Sequence, residues 1–194
     1  MGDWGEVGKK LALPDLGTAE GISAFPRLNT EKMQEVLGGM VGPEVGNISQ
    51  LAKSPLAPQE VKGILEYLKN IMPKRAGLVR NSEFVADGLS NPKAVGQYSA
   101  AVDSAKIGLN NTKGVPRSPK EVMTTIFHEI FGHGNDAEKG IAKLGGGEEG
   151  LANYLDKIDN ERIQYSAHST RPSEIKAKRI ADYLTNGLVK KGKL

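Results

Sequence analysis

Ser118-Pro-Lys-Glu-Val-Met-Thr-Thr-Ile-Phe-His-Glu-Ile-Phe-Gly-His133 carries the densest structural information in the chain. Ser118 and Glu121 stand at the spacing where a hydroxyl and a carboxylate satisfy each other's free amides at a helix start. Pro119 suits the first helical position, which needs no amide partner. Val122, Ile126 and Ile130 then recur every fourth residue and make one apolar face. The stretch predicts a helix that begins after Ser118, buries one side, and stops at Gly134.

The polar residues of that helix decide its chemistry. His128-Glu129-Ile130-Phe131-Gly132-His133 reads His-Glu-x-x-x-His, and it holds two of the chain's three histidines. In the shorter His-Glu-x-x-His of zinc peptidases, the imidazoles lie about 40° apart on the helix and reach one ion. One residue more separates them by about 140° on a regular helix. A π-bulge, with one i→i+5 turn, restores the alignment, and Gly132 tolerates the distortion. His128 and His133 are then metal ligands, and Glu129 is the base that takes a proton from a metal-activated water. The plain alternative is an amphipathic helix whose histidines are ordinary surface or core residues.

A catalytic zinc takes three protein ligands and keeps one position open. The chain has no cysteine, so every ligand is nitrogen or oxygen. Gly147-Glu148-Glu149-Gly150-Leu151-Ala152 offers carboxylates on the first turn of a helix, behind the flexible Gly145-Gly146-Gly147. An acidic pair there also complements the helix dipole, so one glutamate can cap while the other binds.

His128-Glu-Ile-Phe-Gly-His133 followed by Glu148-Glu-Gly-Leu-Ala152 resembles the tubulin-type tyrosine carboxypeptidases and their bacterial QEGLA-motif relatives, a gluzincin-like group. The resemblance implies zinc held by His128, His133 and Glu149, with Glu129 as general base in hydrolysing a peptide bond near a C-terminus. A second stretch, Arg171-Pro-Ser-Glu174-Ile-Lys-Ala-Lys-Arg-Ile180, is similar to a segment downstream of the zinc helix in metallopeptidase-like domains of phage and mobile-element proteins. That likeness implies Glu174 as the third ligand. Against it stands an ordinary amphipathic helix with Ile175, Ala177, Ile180, Ala181 and Leu184 buried, and the expectation falls on Glu149. Tyr165 and His168 are candidates to stabilise an oxyanion, and Arg171 to hold a substrate carboxylate.

The rest of the chain bounds these readings. Its 194 residues are the length of one domain, with 38% hydrophobic residues and a net charge of +3. Such a weakly basic chain lacks the basic aromatic stripe of a nucleic-acid binder. No apolar run approaches a membrane span, and no secretory leader is visible, so the expectation is a soluble protein, cytoplasmic or excised from a longer chain.

Residues 1–55 read as an irregular arm and linker, with a short helix from Thr30 to Leu37 and a loop over 39–57. Residues 56–194 read as the metallopeptidase-like domain. Within it a helix runs from Pro58 to Pro73, and short strands lie at 77–80, 84–86 and within 94–110, turning near Asp103-Ser104. A second helix follows Gly147 with Leu151, Leu155 and Ile158 inward, and a third runs from Pro172 to Asn186. The expected fold is α+β: a small mixed or antiparallel sheet packed on the zinc helix, with two helices after it. The expected function is zinc-dependent hydrolysis of a peptide or protein substrate. The alternatives are a non-catalytic zinc-bound module of a virion or secretion assembly, and a toxin or effector peptidase domain released from a longer chain.

Overall fold

The computed structural model describes residues 47–71, 79–86, 89, 91 and 93–194. The arm at 1–28 and the helix at 30–37 lie outside them. The described residues form an α+β fold, as the sequence predicts.

Helices α1 (Asn47–Lys53) and α2 (Gln59–Ile71) open it. They pack together and bury Ile48, Leu51 and Ala52 against Val61, Ile64, Leu65 and Leu68. This corrects the part of the expected loop over 39–57 that lies within the described residues. Pro55 follows α1 rather than precluding it, and the helix's apolar residues join the main core. The folded unit therefore reaches back at least to Asn47, upstream of the expected boundary at 55/56.

Strands β1 (Asn81–Val85), β2 (Gly96–Ser99) and β3 (Ser104–Gly108) form a mixed sheet in the order β1-β3-β2. β1 runs parallel to β3, with Phe84 opposite Ile107, and β2 runs antiparallel, with Tyr98 opposite Ala105. Of the strands expected at 77–80 and 84–86, the first lies partly outside the described residues, with Val79 and Arg80 in a bend, and the second begins earlier, as part of β1. The turn near Asp103 is as read: Asp103 takes the left-handed conformation at φ 46°. Its carboxylate accepts the Arg80 amide at 2.9 Å and the Tyr98 hydroxyl at 3.2 Å, which ties the turn to both outer strands.

The predicted capping box is formed at the start of α3 (Pro119–Ile126). Ser118 Oγ accepts the Glu121 amide, and the Glu121 carboxylate accepts the Ser118 amide at 2.8 Å. Just before it, the Arg117 guanidinium donates to the Val95, Gly108 and Glu121 carbonyls at 3.1, 2.6 and 2.8 Å, and to the Thr125 hydroxyl. One side chain thus clamps β2 and β3 onto α3.

Gly134 does not stop the helix. α3 passes into a π-helix (Phe127–Gly134) and on into α4 (Asn135–Lys143), with Gly134 at a helical φ of −58°. A glycine ends a helix only when it turns left-handed. Here Gly145, Gly146 and Gly147 do that, at φ 122°, 72° and 53°. α5 (Gly147–Gln164) follows as predicted, but only Gly150 and Tyr154 are buried in it, and Leu151, Leu155 and Ile158 are half-buried. The side-chain-free faces of Gly140 and Gly150 let α5 sit directly on α4, Tyr154 against Gly140 and Gly150 against the Ile141 carbonyl.

A 3₁₀ turn (His168–Thr170) leads into α6 (Pro172–Lys190). α6 runs past the expected end at Asn186, and Gly192 at φ 62° follows it. Its buried face is Ser173, Ala177, Ala181, Leu184, Thr185 and Leu188, whereas Ile175 is exposed and Ile180 half-buried. That face lies across the π-helix, its most extensive partner. Two further helices, α5 and α6, thus follow the continuous helix that carries His128 and His133, as the sequence predicts.

Candidate metal centre

The core faces of α3 and the π-helix, Val122, Met123, Ile126, Phe127 and Ile130, are fully buried. They anchor a segment whose polar residues face the other way. Over the eight residues of the π-helix, the wider turn brings His128 and His133 onto one side, as the spacing requires. Their Nε2 atoms are 3.1 Å apart, with the rings edge to face at 4.7 Å.

The third donor is Glu174, from α6. Its Oε2 lies 3.2 Å from His128 Nε2 and 3.3 Å from His133 Nε2. Gly132 makes this approach possible. A Cβ at Gly132 would fall 2.6 Å from the Ala177 Cβ and 2.7 Å from its Cα, so the helices meet backbone to backbone one turn beyond Glu174. Gly132 thus does more than ease the π-turn. Glu174, Ala177 and Ala181 share a face, and packing that face on the π-helix delivers the carboxylate.

Glu149 is not brought to the histidines. It is exposed on the first turn of α5, its carboxyl beside the Gly145 loop, because Gly150 and Tyr154 turn that helix onto α4. Among the described residues, the one group of three such donors close enough to share an ion is His128, His133 and Glu174. The sequence singled out the two histidines, and the fold places them side by side. The sequence offered Glu174 as the lesser choice, because its surrounding pattern is also that of a plain amphipathic helix.

The three edges of this triangle, 3.1, 3.2 and 3.3 Å, fit a metal. Tetrahedral donors about 2.05 Å from zinc stand about 3.3 Å from each other. Two imidazole nitrogens and a carboxylate oxygen are also a donor set that zinc accepts.

The electrostatics suit the same use. Burial pushes the Glu174 carboxyl up, but hydrogen bonds from His128 and His133 and the nearby imidazole charges hold it well below the usual carboxylate range. Burial pulls His133 down, and the carboxylates of Glu174, Glu129 and Asp136 more than reverse this. Glu129 is 7% exposed, and burial raises its carboxyl despite the two histidines. It packs on the edge strand: a Cβ at Gly96 would lie 2.7 Å from Glu129 Oε1, and the Tyr98 amide donates to the carboxylate. The Tyr98 ring stacks parallel to His133 at 6.5 Å.

Sequence reasoning missed the support around these groups. Asp136, buried behind His133, forms an ion pair with Lys176 of α6 and accepts from the Tyr154 hydroxyl of α5 at 3.2 Å. This cluster joins the helices that carry His133 and Glu174. Asp136 and Lys176 lie 40 residues apart, and no local pattern pairs them. Gly96 gave no signal either, since its bareness matters only once Glu129 lies against it.

A groove of about 410 Å³ is lined by His128 and Glu174 of the triad together with His168, Ser169, Lys178 and Arg179. Of the candidates for oxyanion and carboxylate binding, His168 lies here. Arg171 donates to the Tyr165 carbonyl at 3.4 Å, and Tyr165 lines a different groove along α5. No helix among the described residues is long and apolar enough to cross a membrane. Compared with protein-family models, curated proteins and solved structures, the chain gave no match.

Proposed function

We propose that the chain is a zinc-dependent peptidase in which His128, His133 and Glu174 hold the metal and Glu129 is the general base. The carrying observation is the donor triangle with edges of 3.1 to 3.3 Å, beside a buried glutamate and an open groove. Zinc held there would supply a Lewis acid for the scissile carbonyl and for the attacking water.

The chain's own residues do the rest. Glu129, its carboxyl raised by burial, takes a proton from the water and returns it to the leaving amine. The Tyr98 amide and the bare face of Gly96 fix where that carboxylate stands. The groove along α6 supplies room for a peptide. Glu174 as third ligand favours the likeness to phage and mobile-element metallopeptidase-like domains over the tubulin-type carboxypeptidases.

One observation favours a metal-holding module without catalysis, namely that Glu129 is only 7% exposed. A single series separates the readings. Purified protein should bind one zinc, cleave a peptide library, and stop when a chelator is added. His128→Ala should lose both metal and cleavage. Glu174→Ala should weaken zinc binding at least tenfold, about 1.4 kcal/mol, while Glu149→Ala leaves it nearly unchanged. Zinc binding without cleavage of any peptide would favour the module. The reverse ranking of the two glutamates in a chelator competition would return the third position to Glu149.

A further inference from the structure

The third histidine has a place that the ligand triad does not explain. His168 sits on the 3₁₀ turn ahead of α6, and its Nε2 lies 3.0 Å from Glu174 Oε1, the oxygen that faces away from His128 and His133. The turn is held by its own backbone: the Thr170 amide donates to the Ala167 carbonyl at 3.0 Å, and the Arg171 amide to the His168 carbonyl at 3.2 Å. The Thr170 hydroxyl adds a bond to the Ala167 carbonyl at 2.7 Å. The imidazole is therefore presented from a fixed loop although its side chain is 70% exposed.

This contact matters because a carboxylate can bind a metal through one oxygen or two. Two would fill the position that a catalytic zinc keeps open. Both Glu174 oxygens are already assigned here, Oε2 to the two histidines and Oε1 to His168. We propose that His168 is a positioning residue: its Nε2–H, donating to Oε1, keeps Glu174 a one-oxygen ligand and so keeps the fourth position of the site free. His168 itself stands outside the donor triangle, since among the described residues only His128, His133 and Glu174 place their atoms within 4.8 Å of one another. This inference rests on the reading of the triad as a metal site.

Cobalt(II) tests it without any assay of activity, because its visible absorption strengthens as coordination number falls. Metal-free full-length protein should take up one cobalt and show the intense bands of a low-coordinate ion. In His168→Ala, Glu174 is free to bind through both oxygens, so the bands should weaken and the affinity should fall about 10- to 100-fold. His168→Gln keeps an N–H donor near the same place and should recover most of both. His168 is exposed and supports no core packing, and unchanged melting of the metal-free variants checks that the fold is intact. Unaltered bands and affinity in His168→Ala overturn the proposal. So does a strengthening of the bands in His168→Ala without rescue by glutamine, which would make His168 a ligand. Failure of the parent protein to bind cobalt at all would instead overturn the metal site on which the inference stands.

Discussion

Glu129 is where stability and function pull apart. Its carboxyl is raised above the ordinary value, chiefly because burial penalises the charged form. A raised acid favours the folded state only below the unfolded value, about 4.3, and that contribution is lost as pH rises through the folded value. At neutral pH the metal-free fold therefore carries a penalty from this carboxyl that it does not carry in acid. Glu129→Gln should raise the melting temperature of the metal-free protein at pH 7, by about 2–4 °C for each kcal/mol recovered. The gain should shrink toward pH 4, where the parent carboxyl is neutral as well. The same variant should keep its zinc and lose hydrolysis, because an amide accepts no proton. A variant that melts below the parent at pH 7 would show that the buried carboxyl is not a burden there.

At the scale of elements, the site is made by the crossing of the π-helix and α6, and Gly132 sets how close they come. In Gly132→Ala the new methyl group would meet both the Ala177 side chain and the α6 backbone, at 2.6 and 2.7 Å. Ala177→Gly would not relieve this, since the backbone contact remains. Overpacking of this kind costs about 1–3 kcal/mol. Glu174 lies one turn from the contact, so pushing α6 away should also lower zinc affinity. Chemical denaturation together with a zinc titration reads both effects. A loss of stability with unaltered zinc affinity would mean that the carboxylate reaches the histidines independently of this crossing.

For the whole molecule, the candidate site stands on a core that begins upstream of the helix carrying His128 and His133. Ile48, Leu51 and Ala52 are fully buried in the same cluster as Ile126, Phe127 and Ile130. Leu51→Ala removes a side chain with 0% exposure, and such truncations cost about 2–5 kcal/mol. The protein should then melt markedly earlier, while the folded fraction still binds one zinc, because Leu51 supports the fold and touches no ligand. A stability within about 0.5 kcal/mol of the parent would show α1 to be an appendage, as the expected boundary at residue 55 had it.

Local chemistry was legible in the sequence and long-range choice was not. Ser118 and Glu121 cap α3 as read, because a capping box is closed by residues three apart. His128 and His133 require a π-turn because of helix angles alone, and the π-helix is there. The hairpin turn at Asp103 and the start of α5 after the glycines were equally local. Glycine as a stop was misread at Gly134, because only tertiary contacts decide whether a glycine stays helical. The third carboxylate was a question of the same kind. Glu149 lies nearer in the chain and beside a flexible loop, but distance along the chain does not choose a partner. The choice falls to Glu174 because Gly132 leaves a bare helix face that Ala177 can fill. Burying the α6 stripe against that face carries Glu174 onto the two histidines, and no residue pattern shorter than the fold contains that fact.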